Sequence, residues 1–185
     1  MAPHFDINVI AVGVDKFTTA QRQQVNDSIA IMTSIFAPLG PTVGTVNRHS
    51  INSANSRGLH IIRDFADVQS LPELWAVPND AVDLFVVASI PLKDGWSPRP
   101  GKCPKLIDKN LRSPVVSLSG DKFNSGNTFA HEVGHFLGLP HAEDDTSLVG
   151  SGFVAANFMK AQSGSNTEMT QAQSQKLRTH CSIKF

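Results

Sequence analysis

The residues with the most chemistry in this chain lie in one run, His131-Glu132-Val133-Gly134-His135-Phe136-Leu137-Gly138-Leu139-Pro140-His141. On a helix, residues four apart stand one turn along and nearly in line, so His131 and His135 project side by side and can share a metal ion. Glu132 is set about 100° round the helix from His131. That is near the ion without being aimed as its ligand, a placement that suits a base taking a proton from a metal-activated water. A helix continued through Gly138 would carry His141 away, whereas a glycine with positive φ lets the chain turn and return His141 as a third ligand. Pro140, with no N–H to donate, fits a chain that has left the helix. Three neutral imidazoles favour zinc among the common metals, and three protein ligands leave a coordination position open, the catalytic and not the structural arrangement.

The elements that must hold this run in place show in the hydrophobic pattern. Phe5 to Val14 alternates polar and apolar and then turns nearly all apolar, as a strand covered on one or both faces does. Thr18 is placed to cap a helix with Gln21 or Arg22 in its first turn. Val25, Ile29, Met32 and Phe36 follow at helical spacing until Pro38-Leu39-Gly40-Pro41. Thr42 to His49 predicts a second strand, Gly58 to Phe65 a third, Asp67 to Ala76 a short helix and Val82 to Ile90 a buried strand. Pro91 to Pro104 is rich in proline and glycine and predicts an irregular loop. Val115 to Ser119 predicts a short strand closed by Gly120-Asp121. The histidine-bearing helix is predicted to start at Asn127 or Thr128 and to end near Leu137. Ala142 to Asn157 reads as loop, and Thr170 to His180 as a closing helix. This order predicts an α/β (α+β) fold: a twisted, mainly parallel sheet with a covering helix, an active-site helix and a small C-terminal sub-domain. Residues 1–185 are expected to form a single domain, with an upper part of about 1–138 and a lower part of about 139–185 on either side of the metal cleft.

Composition narrows the partners. The 185 residues carry 16 Lys+Arg against 16 Asp+Glu, a formal charge of zero that gives no reason to expect nucleic acid or a polybasic membrane contact. The longest apolar run, Leu84 to Ile90, is too short to span a bilayer. Met1-Ala2-Pro3-His4 has neither a basic nor an apolar leader region, so a signal or pro-segment is not expected within this chain. A monomer is expected.

The run from His131 to His141 resembles the extended zinc motif of the metzincin endopeptidases, H-E-x-x-H-x-x-G-x-x-H followed by a methionine turn. Ala156-Asn157-Phe158-Met159 looks like that turn, which implies that Met159 forms an apolar floor beneath the histidines; Met169 is the competing candidate. Within the metzincins the wording is most similar to the pappalysin group, through Thr128-Phe129-Ala130 ahead of the motif, Asn157-Phe158-Met159 after it, and Gly95-Trp96-Ser97 upstream. Ala142-Glu143 and Lys160-Ala161 depart from that group's pattern, and the matrix metalloproteinases are the nearest alternative. The resemblance implies a metzincin-like zincin fold and a secreted, extracellular zinc endopeptidase acting on protein or peptide substrates. In it, Glu132 would serve as general base and acid on a zinc-bound water, and a strand between Pro91 and Val116 would pair with the substrate. In some metzincins a tyrosine two residues after the methionine approaches the zinc. Here that position is Ala161 and the chain has no tyrosine at all. The rival reading is a zinc-stabilised binding module or toxin-like effector that acts on one dedicated partner; the intact Glu132 argues against a purely structural site.

Three features are less specific. The run Glu143-Asp144-Asp145 offers oxygens of the kind calcium takes, or is a solvated loop, since no spaced ligand pattern appears. Cys103 and Cys181 are either a disulfide that pins the tail to the body of an exported protein or two unrelated thiols. His4, His49, His60 and His180 have no ligand spacing.

Overall fold

The computed structural model describes residues 2–91, 93–103, 113–118, 120–150, 152–162 and 166–185. Within them, β1 (His4–Val12), β2 (Thr42–Ile51), β3 (Val82–Val87), β4 (Gly95–Trp96) and β5 (Val115–Ser117) form a sheet in the spatial order β2-β1-β3-β5-β4. β1 runs parallel to β2 and β3, and β3 to β5; only β4, at the end of the sheet, is antiparallel to its neighbour.

A parallel sheet must be covered on both faces, and the alternation of side chains shows how. Ile7 and Val9 of β1 with Leu84 and Val86 of β3 face α1 (Thr19–Phe36) and α3 (Lys122–Phe136). Ile10 and Val12 with Phe85 and Val87 face α2 (Phe65–Trp75). α1 is started by a capping box in which Thr18 accepts from the Gln21 N–H and Gln21 reaches back to the Thr18 N–H. It buries Val25, Ile29, Met32 and Phe36, the stripe expected from their spacing. The short α4 (Thr146–Val149) and a 3₁₀ turn (Val154–Ala156) interrupt the stretch predicted as loop. α5 (Gln171–Leu177) closes the fold behind a second capping box at Thr170 and Gln173.

Two expectations are corrected. Gly58 to Phe65 is not a third strand: Arg57 and Gly58 both have positive φ and curl the chain, leaving one bridge, Ile61 to Ser89. Phe65 instead begins α2, which Asp64 caps by accepting the Asp67 N–H. The histidine helix starts earlier than Asn127, at Lys122, because Asp121 caps it through the N–H groups of Phe123 and Asn124, each at 2.9 Å. Its polar first turns are tolerated because they lie against α1, where Gln24 Nε2 donates to Ser125 Oγ. Pro104 and Ser119, the ends of a predicted loop and a predicted strand, lie outside the described residues.

The tail returns to the sheet: His4 and Lys184 exchange main-chain hydrogen bonds of 3.0 and 2.8 Å, and Cys103 is joined to Cys181 across 78 positions. Closing so long a loop restricts the unfolded chain. Replacing both cysteines by serine should lower unfolding free energy by about 4 kcal/mol, read as a shift in urea midpoint; an unchanged midpoint would show that the bond contributes nothing to folding.

Candidate active site

α3 carries His131, Glu132 and His135 on its buried length. The helix ends at Gly138, whose φ of 103° is open to glycine and strained for other residues. The N–H groups of Leu137, Gly138 and Leu139 close the last turn onto the carbonyls of Val133, His135 and Gly134, each at 2.9 Å. The chain then doubles back and brings His141 to the other two histidines. The ring centroids lie 4.5 Å (His131–His135), 4.7 Å (His135–His141) and 5.3 Å (His131–His141) apart, and one nitrogen from each falls within 4.8 Å of the others.

The other face of two of these rings is already engaged. His131 Nδ1–H donates to the Phe158 carbonyl at 3.0 Å and His135 Nδ1–H to the Leu139 carbonyl at 2.7 Å. A carbonyl only accepts, so each ring must carry its proton on Nδ1 and turn an Nε2 lone pair towards the centre. Burial pulls the pKa of His131 down to about 4 and that of His135 to about 3, with the neighbouring histidines adding to the effect. The imidazoles are therefore neutral near pH 7. Three convergent imidazole nitrogens fit the donor set of a zinc site with one position left open.

Met159 is fully buried beneath this group. Its sulfur packs on Gly134, between the two helical histidines, where an added Cβ would lie 2.6 Å away. The same turn holds the site together at both ends, because Phe158 accepts from His131 and the Met159 carbonyl accepts from Ala142 N–H, next to His141, at 2.9 Å. Asn157 fixes the turn by accepting the Met159 N–H and by exchanging two amide hydrogen bonds with Gln173. Met169 lies just before α5 and lines a separate pocket with Leu39 and Phe153.

Glu132 is 7% exposed, and burial pushes its pKa up to about 8, opposed by the Lys93 ammonium. Its carboxyl packs directly on Gly95 of β4: a Cβ there would lie 2.6 Å from Glu132 Cγ and 2.7 Å from Oε1. A cleft of about 520 Å³ opens over these residues, bounded by Lys93 to Ser97 on one side and by Thr128, Ala161 and Gln162 on the other. The contact between Gly95 and Glu132 escapes a reading of the sequence because 37 positions separate them. The signals in the sequence are a glycine within a loop rich in proline and glycine and the resemblance carried by Gly95-Trp96-Ser97, neither of which names Glu132 as the partner.

The acidic residues after His141 face different partners. Both oxygens of Glu143 accept from Ala161 N–H, Asp144 stands 3.6 Å from Arg99 and from His141 Nδ1, and Asp145 accepts from Ser147 Oγ. Among the described residues the other histidine–cysteine group at ligand spacing is Cys103, His180 and Cys181, whose two sulfurs are bonded to each other.

No protein-family model matches the chain. Among solved structures, archaemetzincin from Methanopyrus kandleri is similar with a TM-score of 0.59 and 16% identity, over 95% of this chain and 94% of that one. Mature mirolysin of Tannerella forsythia, solved with a cleaved peptide, is similar with a TM-score of 0.63 and 13% identity, over 95% and 90%. At such identities the likeness is one of fold: the mixed α/β architecture with a mainly parallel five-stranded sheet is shared with these two structures.

The buried titrating groups give the metal-free protein a defined pH response. Glu132 rises from 4.5 to about 8 on folding, so the folded state holds an extra proton and stability falls as pH rises through that window. His131 falls from 6.5 to about 4 and His135 to about 3, so stability is lost as pH drops below 6.5. Urea unfolding of the chelator-treated chain should therefore weaken between pH 6.5 and 8, and Glu132→Gln should flatten that limb. An identical alkaline limb in the variant would assign it to another group.

Proposed function

We propose that the chain is a zinc-dependent endopeptidase of the metzincin type, in which His131, His135 and His141 hold the metal and Glu132 is the general base and acid. The observation that carries this reading is the buried Glu132 carboxyl beside three convergent imidazoles in an open cleft. When bound, zinc supplies Lewis-acid chemistry, acidifying water and polarising the scissile carbonyl. Glu132 takes a proton from the attacking water and delivers it to the leaving amine. The burial that raises its pKa makes it a competent proton carrier near neutrality, and a neighbouring dication would draw that pKa back down. Gly95 sets the side of Glu132, and β4, the outermost strand, offers its edge for pairing with an extended peptide. The chain has no tyrosine to stabilise an oxyanion, so a Lewis acid held by His131, His135 and His141 would supply that stabilisation.

The methionine turn at Met159 and the wording around the motif favour the pappalysin-like branch. The cleft divides one catalytic domain into an upper part to about Gly138 and a smaller part beyond it. The disulfide suits an exported enzyme.

Incubation with a mixed proteome, followed by mass spectrometry of new peptide termini with and without a zinc chelator, tests the activity. Chelator-sensitive termini are expected; their absence would favour a zinc-stabilised binding module. Glu132→Gln should keep one zinc per chain and lose roughly 10³-fold in kcat, and full turnover in that variant would refute the role given to Glu132. Gly95→Ala should also keep its zinc while kcat falls on the order of 10²-fold, because the added methyl displaces the base. A wild-type kcat there would show that the carboxyl needs no such contact.

A further inference from the structure

β4 separates the active cleft from a second pocket. Its register sets Gly95 opposite Val116 and Trp96 opposite Val115, so its two side-chain positions point to opposite faces of the sheet. Gly95 faces α3 and Glu132, whereas Trp96 faces α2. On that face lies a pocket of about 160 Å³ walled by Ile62, Phe65, Val68, Ile90 and Pro91, and Lys93 and Trp96 belong to both this pocket and the active cleft. Phe65 is 46% exposed, and its ring meets Trp96 edge-on at a centroid distance of 4.9 Å. Two of the charged residues at the rim are tied to α2, Arg63 donating twice to Asp67 at 2.8 Å and Asp64 capping the helix, while Lys93 stands on the side shared with the active cleft, where its ammonium acts on Glu132. What remains is an apolar hollow with a half-exposed aromatic pair at its mouth, continuous with the cleft.

We infer that this pocket is a substrate subsite that takes an aromatic or large aliphatic side chain from the N-terminal side of the cleaved bond; the inference rests on the endopeptidase reading. A peptide added antiparallel to β4 runs against it, so the residue opposite Trp96 precedes the residue opposite Gly95. Gly95 touches the base, which puts the residue opposite it at the bond to be cleaved. The residue opposite Trp96 is then the second before that bond. Directly paired residues point to the same face, so its side chain enters the hollow between Trp96 and Phe65. Such a strand is read on both faces at once, with chemistry on the α3 side and selection on the α2 side.

The test is a peptide series differing only at that residue. kcat/KM for Phe should exceed that for Gly by on the order of tenfold. Phe65→Ala should bring the ratio close to one. Phe65→Glu should turn the preference towards Lys or Arg, an outcome that misfolding cannot produce. A wild-type enzyme indifferent to residues before the bond, or a preference unchanged in both variants, overturns the subsite. Tryptophan emission in a Glu132→Gln protein that also carries Trp75→Phe, so that Trp96 is the sole emitter, reads binding of the same peptides without turnover. Phe-selective binding by a chain that cleaves no peptide would overturn the endopeptidase reading, and with it the subsite's place before a cleaved bond, leaving only a pocket that selects an aromatic side chain; equal binding of the Phe and Gly peptides overturns the pocket's selectivity whatever the activity.

Discussion

The centre of this molecule depends on two imidazole N–H groups being held by main-chain carbonyls. His131 to Phe158 and His135 to Leu139 are short, buried hydrogen bonds, and each does three things: it satisfies a polar group that burial would otherwise leave unpaired, selects the tautomer, and aims the remaining nitrogen inward. The partner carbonyls come from two different places, the turn just past Gly138 and the turn at Met159. The convergence of the histidine nitrogens is therefore a property of the packed fold and not of the helix alone.

That dependence explains the unusual burial of α3. From Ser125 to Phe136 every residue of the helix is buried, including two histidines, a carboxyl, the Asn127 amide and two hydroxyls that would ordinarily stay in water. They are accommodated because α1, the methionine turn and β4 each press one element of backbone or one polar partner against them. Gly134 admits the Met159 sulfur and Gly95 admits the Glu132 side chain. The neighbours of the site are small where close approach is required and polar where a donor must be satisfied.

Local information made much of this legible from the sequence. The α1 stripe and its Thr18 cap, the i,i+4 histidines and the stop at Gly138 all lie within a few residues of one another, and each follows from helical geometry. Misreadings arose where distant contacts outweighed local preference. Asn127 resembled a cap until Asp121 and the contact with Gln24 extended the helix backwards. Gly58 to Phe65 had strand-like composition but lies along the sheet for only one bridge. The pairings of Gly95 with Glu132 and of Phe65 with Trp96 join segments that share no pattern, so only the folded chain reveals them.

The brevity of β4 has a consequence of its own. A two-residue strand has no spare length, and a slip by one position would exchange its faces, driving an indole against Glu132 and leaving the α2 pocket without its wall. Register here is all-or-none. It is pinned from the adjoining strand, where Ser117 donates both its N–H and its hydroxyl to the Asp94 carbonyl, at 2.8 and 3.2 Å. A serine that lines neither the cleft nor the pocket thereby decides which side of a dipeptide faces Glu132, and an error in alignment would rebuild both hollows in a single step.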